Sequence, residues 1–121
     1  MKGYIDQNGQ CWVEITVAGQ WQEIAIKAIL DTGFNGWVCL PTPIAVQLGL
    51  TLFGVQTLEL ADGTHKKQLT FIGEVIFGDR QEWTEIILTE SQEALVGTSM
   101  LLDSVLTIDF SEKTLEITPK V

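Results

Sequence analysis

Between Trp12 and Leu30 the sequence alternates with a period of two. Val13, Ile15 and Val17 fall on one side of an extended backbone and Trp12, Glu14 and Thr16 on the other. After the break Ala18-Gly19-Gln20, Ile24, Ile26, Ala28 and Leu30 share one side against Glu23, Ala25, Lys27 and Ile29. Successive side chains of a strand point to opposite faces, so this period demands half-buried strands and conflicts with the 3.6-residue period of a helix. Two such runs separated by a glycine-containing break predict a hairpin, and the hairpin delivers the chain directly to Asp31.

The pattern continues downstream. After the loop DTGFNG, a short apolar run from Trp37 to Leu40 leads into PTPIAVQLG. There Thr42 is positioned to cap, Pro43 to sit in the first turn and Gly49 to terminate a helix of about two turns. The stretch from Leu52 to Phe77 reads as two long strands around Ala61-Asp62-Gly63-Thr64, because Asp-Gly tolerates the positive φ angles of a tight hairpin turn. Gly78 to Gln81 predicts a further turn before the strand WTEIILT, and ALVGTSMLLD passes through Gly97 into a second short helical stretch. SVLTIDF and LEITPK, joined by Ser111 to Thr114, close the chain as a last hairpin. The prediction is a single, mainly antiparallel β domain over residues 1–121 with one or two short helices.

Composition removes several functional classes. A chain of 121 residues has room for one core but not for two enzymatic lobes. Sixteen acidic against seven basic residues give a net charge of −9, which repels phosphate backbones, so no nucleic-acid partner is expected. No run approaches the length of a membrane span and the N-terminus lacks the apolar core of a secretory signal, which predicts a cytoplasmic protein without a membrane partner. A single histidine, His65, rules out a multi-histidine metal centre, and neither G-x-S-x-G nor H-E-x-x-H occurs, so neither a metal nor another cofactor is expected. Cys11 and Cys39 lie in apolar strand patterns and read as reduced, unreactive thiols.

The segment Ile29-Leu30-Asp31-Thr32-Gly33 carries the chemistry. It puts a carboxylate at the end of an apolar strand, followed by a hydroxyl and a residue that permits sharp chain reversal. Two carboxylates brought within hydrogen-bond distance cannot both ionise at the same pH. Such a pair can activate water with one member and protonate a peptide carbonyl with the other. Asp-Thr-Gly alone is a common turn tripeptide. Its weight comes from its setting, an apolar strand before it, an Asp-Gly hairpin about thirty residues on, and Leu95-Val96-Gly97 before the second helix. Asp62, Asp79, Asp103 and Asp109 lack that approach and read as turn or surface residues.

From about Trp12 to Phe110 the sequence resembles the retropepsin-like aspartic proteases, and ILDTGFNGWVCLP is similar to a prokaryotic branch with Phe after the triplet. The resemblance implies a closed antiparallel β-barrel of the retropepsin type and assigns Asp31 as catalytic aspartate, Thr32 as a brace between the two loops of a dimer, and Gly33 as a substrate-backbone contact. It makes Leu95-Val96-Gly97 scaffold beneath that loop. It makes Ala61, Asp62, Gly63 and Thr64 the tip of a flap over an extended peptide, and Phe34 a wall of the substrate pocket.

Many viral relatives have a small residue and then an acidic one after the triplet and pair that acid with an arginine after the later glycine. Here Phe34, Asn35 and Thr98 stand in those places, so both charges are absent together and no buried charge is orphaned. One triplet per chain requires a homodimer to bring two Asp31 carboxylates together. The resemblance also implies that terminal strands help build a sheet across the dimer, and the candidates are residues near Lys2 to Asp6 and Leu115 to Thr118, which would otherwise be exposed edges. The alternative is a noncatalytic dimeric module that binds a peptide or protein in the same groove.

Overall fold

A computed structural model describes residues 1–120. Ten strands form one sheet: β1 Lys2–Ile5, β2 Cys11–Ala18, β3 Glu23–Leu30, β4 Val38–Pro41, β5 Thr51–Glu59, β6 His65–Phe77, β7 Arg80–Thr89, β8 Ala94–Val96, β9 Ser104–Asp109 and β10 Thr114–Pro119. One α-helix, α1 Thr42–Leu48, follows β4, and a 3-10 turn spans Thr98–Leu101. No helix among the described residues is long and apolar enough to cross a membrane.

The strand order runs β5-β6-β7-β4-β8-β3-β2-β1-β10-β9, and an additional β2–β6 pairing closes β6, β7, β4, β8, β3 and β2 into a six-stranded barrel. The mainly β architecture expected from the alternation is therefore present, closed into the barrel that the resemblance implies. β2 makes closure feasible by dividing one edge between two neighbours. Cys11 and Trp12 pair with β1, while Thr16 to Ala18 pair with Glu74 to Ile76 of β6. Four of the six seams are antiparallel, and the β3–β8 and β4–β7 seams are parallel.

Val13, Ile15, Val17, Ala28 and Leu30 all lie in the core, as the period of two requires. Burying a side chain of this size stabilises by roughly 1.5–3 kcal/mol. Leu40, Leu48, Ile86 and Met100 fill the centre with no exposed surface.

Several local expectations are corrected. The residue preceding the first turn of α1 is Pro41, with no side-chain cap, and the Thr42 hydroxyl instead donates to the Thr89 carbonyl at 3.2 Å. Gly49 does end the helix in the left-handed conformation, at φ 71°. The β5–β6 turn needs only one positive φ, 84° at Gly63, because a Leu60-to-Gly63 turn followed by the Leu60–Thr64 pair accommodates one extra residue. β7 begins at Arg80, since Gly78 at φ 61° turns the chain within two residues.

The terminal strands also depart from expectation. β1 and β10 are not exposed edges, for β1 is held between β2 and β10, and β10 between β1 and β9. Lys2, Gly3 and Tyr4 pair with Glu116, Leu115 and Thr114 of the same chain, and β9 takes the free edge.

Candidate active site

β3 ends at Leu30, and the chain turns there at the half-buried Asp31. The Asp31 amide donates to the Val96 carbonyl at 2.9 Å, prolonging the parallel β3–β8 register by one residue. β8 lies between β3 and β4, so the loop joining those two strands must pass over its end. Hydrogen bonds tie loop and crossing together. Thr98 N–H donates to Phe34 O (2.8 Å), Ser99 N–H to Gly36 O (3.1 Å), Gly97 N–H to Trp37 O (2.9 Å), and the Ser99 hydroxyl to Asn35 O (2.7 Å).

Gly97 is required by this crossing. A Cβ there would stand 2.2 Å from Gly36 O and 2.7 Å from Phe34 O, distances no side chain tolerates. Gly36 is similarly constrained by the Phe34 ring, 2.6 Å from where its Cβ would be. The segment read as scaffold thus meets the loop directly; Thr98, read in the sequence only as standing where relatives carry an arginine, supports the loop, as does Ser99, which the sequence reading did not single out.

Asp31 is half-buried, and its Oδ1 accepts the Gly33 N–H at 2.9 Å. That is the carboxylate's only hydrogen bond among the described residues, which leaves Oδ2 open. A Cβ on Gly33 would sit 3.2 Å from Asp31 Oδ1 and crowd this turn. Thr32 is exposed, and its hydroxyl makes no hydrogen bond among the described residues.

Beyond the triplet the same loop walls a cleft of about 400 Å³, lined by Phe34 to Val38, Gln56 and Leu58 of β5, and Glu85 and Ile87 of β7. Phe34 is thus one of the residues lining this cleft. Ala61, Asp62, Gly63 and Thr64 are exposed at the far end of the β5–β6 hairpin and do not line this cleft. Gln56, Leu58, Glu85 and Ile87 were not singled out in the sequence. Their signal was the two-residue spacing that puts each pair on one strand face, legible only once that face is known to overhang the loop.

Other candidate chemistry is weak here. Cys11 and Cys39 are free thiols; burial pushes Cys39 up to about 11 and raises Cys11 as well, so both resist ionisation. His65 is exposed at the start of β6. No group of three or more His, Cys, Asp or Glu able to hold a metal occurs among the described residues.

Comparison of whole structures finds the same fold in proteins of distant sequence. A retropepsin-like aspartic protease from Rickettsia conorii superposes with a TM-score of 0.72 at 18% identity, covering 98% of this chain and 89% of that one. The EIAV protease complexed with the inhibitor HBY-793 gives 0.62 at 13% identity, covering 81% and 90%. The retroviral protease-like domain of Ddi1 from Leishmania major gives 0.51 at 14%, covering 90% and 93%. No family model and no curated protein sequence matches the chain. The fold is the retropepsin fold.

Proposed function

We propose that this chain is one half of a homodimeric aspartic endopeptidase, in which two Asp31 carboxylates meet across a two-fold axis. The observation that carries the reading is the Asp31 carboxylate, held by the Gly33 amide on one oxygen and open on the other, on a loop strapped to β8 and bordering a cleft. Its position at the end of β3 in a retropepsin fold agrees with the role the triplet implies.

One Asp31 would take a proton from water as general base while its partner donates a proton to the peptide carbonyl, giving a tetrahedral intermediate with no covalent link to the protein. Among the described residues no second carboxylate is hydrogen-bonded to Asp31, so in this reading each half alone lacks the acid. The Thr32 hydroxyl, exposed and without a hydrogen bond among the described residues, would bridge the two loops, and Gly33 would meet the substrate backbone. Phe34 would wall the side-chain pocket. The β5–β6 hairpin would close over an extended peptide, with Ala61 to Thr64 as its tip and Gln56 and Leu58 beneath it, excluding water from the reacting bond. Two free thiols accord with a reducing, cytoplasmic setting.

The test is cleavage of an unfolded protein, followed by mass spectrometry from mildly acidic to neutral pH at high protein concentration. Asp31→Asn should lose at least about a thousandfold in rate, as expected when the group that activates water is removed, with the fold retained. Wild-type cleavage equal to that of Asp31→Asn would assign the fragments to a contaminant. Peptide binding without cleavage would instead identify a noncatalytic module.

A further inference from the structure

The cleft beside the active-site loop is apolar on most sides and carries one formal charge. Phe34, Trp37, Val38, Leu58 and Ile87 supply hydrocarbon, while Glu85 brings a carboxylate and Gln56 an amide. Glu85 is half-buried, its cross-strand partner on β6 is Ile72, and it makes neither a hydrogen bond nor an ion pair among the described residues. The single ion pair among those residues, Arg80 with Glu82 at 3.1 Å, lies three residues back along the same strand. Lys66 pairs across the hairpin with Leu58 but lines a different groove with Lys67 and Leu69.

A half-buried carboxylate beside an apolar wall gives up part of its hydration, and no cation among the described residues offsets that loss. A substrate cation would restore the balance. Lysine and arginine have the matching shape, a hydrocarbon stem that packs on apolar surface and a charged head that seeks an acceptor. The net charge of −9 also favours approach of a basic chain.

Resting on the endopeptidase reading, we infer that Glu85 determines specificity, and that the cleft takes a lysine or arginine side chain at one fixed position of the extended peptide. Phe34, Leu58 and Ile87 pack on the stem, and the Glu85 carboxylate accepts from the head with the Gln56 carbonyl beside it. A hydrogen bond from a cation to a half-exposed carboxylate is worth roughly tenfold in selectivity once solvent screening is allowed for.

The experiment digests a mixed peptide library with wild type, Glu85→Gln and Glu85→Lys, and separately measures binding of peptide pairs to Asp31→Asn by calorimetry. Each pair differs only by lysine against norleucine at the selected position, or at successive positions in turn if no cleavage is seen. Wild type should enrich lysine and arginine about tenfold at one position, Glu85→Gln should lose the enrichment, and Glu85→Lys should shift it to aspartate and glutamate. An unchanged cleavage profile in both variants overturns the inference, as does a wild-type profile selecting only apolar residues there. If wild type cleaves nothing, the endopeptidase reading fails, but the calorimetry still decides this one. Tighter binding of the lysine peptide that disappears when Glu85→Gln is added to the Asp31→Asn chain supports the basic subsite, and equal binding of each pair at every position removes it.

Discussion

The Asp31 loop and the β5–β6 hairpin flank the same cleft but are built on opposite principles. Asp31 to Trp37 is fixed by bonds to a segment sixty or more residues away in sequence, with glycines at 36 and 97 admitting contacts too close for any side chain. From Glu59 to Lys67 every residue of the hairpin is exposed, and the bonds at its tip are all internal to Leu60–Thr64. A region with few buried contacts opens at low free-energy cost, whereas a crossed and packed one opens only with the whole fold. The arrangement suits chemistry that needs a fixed carboxylate and a substrate channel that must open.

The contrast is broken most forcefully by exchanging the glycines. Gly97→Ala should cost about 3 kcal/mol or more, because its Cβ would meet backbone oxygens that cannot retreat without parting the loop from β8. Gly63→Ala should cost about 1 kcal/mol, since nothing lies within 4 Å of its Cβ and only the φ of 84° resists. Denaturant unfolding of both variants gives the comparison, and equal losses would mean that the crossing at Gly97 is not the tighter of the two.

How far the sequence foretold these regions follows from the range of the interactions. The strand faces were legible in Val13, Ile15, Val17, Ala28 and Leu30, since a period of two is written locally. The Asp-Gly turn was legible for the same reason, although its single positive φ was not. Ring closure was hidden, because it depends on Thr16 to Ala18 meeting Glu74 to Ile76 and no local pattern records that pairing. The pairing of β1 with β10 was hidden too, and so termini expected to be open edges are occupied within the chain. At the site, Asp31 to Gly33 announced themselves as a motif, whereas Glu85 and Ile87 look like any alternating strand residues until the barrel brings them beside Phe34 and Trp37.

Cys39 sharpens the contrast from the rigid side. It stands one residue beyond Val38 on β4, paired with Leu95, and burial pushes its thiol up to about 11 from an ordinary 9.0. Thiolate is the reactive form, so at pH 8 its native population is about a hundredfold below that of an ordinary thiol, and alkylation should slow by at least that factor relative to the unfolded chain. Timed iodoacetamide labelling with peptide mapping measures it. Rapid labelling of Cys39 under native conditions would show that the wall behind the loop opens readily and would weaken the claim of a fixed carboxylate.

The smallest effect is a pH dependence confined to the hairpin tip. The Asp62 carboxylate accepts from the Thr64 hydroxyl at 2.6 Å and the Thr64 amide at 3.0 Å, and these bonds, the hydroxyl's above all, hold its pKa below the ordinary 3.8. Because the folded value is depressed, the ionised group's contribution to the turn is complete above pH 3.8 and is lost as pH falls through the folded value. The loop's straps are mostly backbone to backbone, with a neutral serine hydroxyl adding one more, and none of them titrates in that range. Amide exchange of Gly63 and Thr64 should therefore rise below pH 3.8, after correction for the intrinsic rate, while Gly97 and Ser99 stay protected. Simultaneous loss at all four amides would make tip and loop one cooperative unit, and the hairpin could then not open as a flap while the carboxylate stays in place.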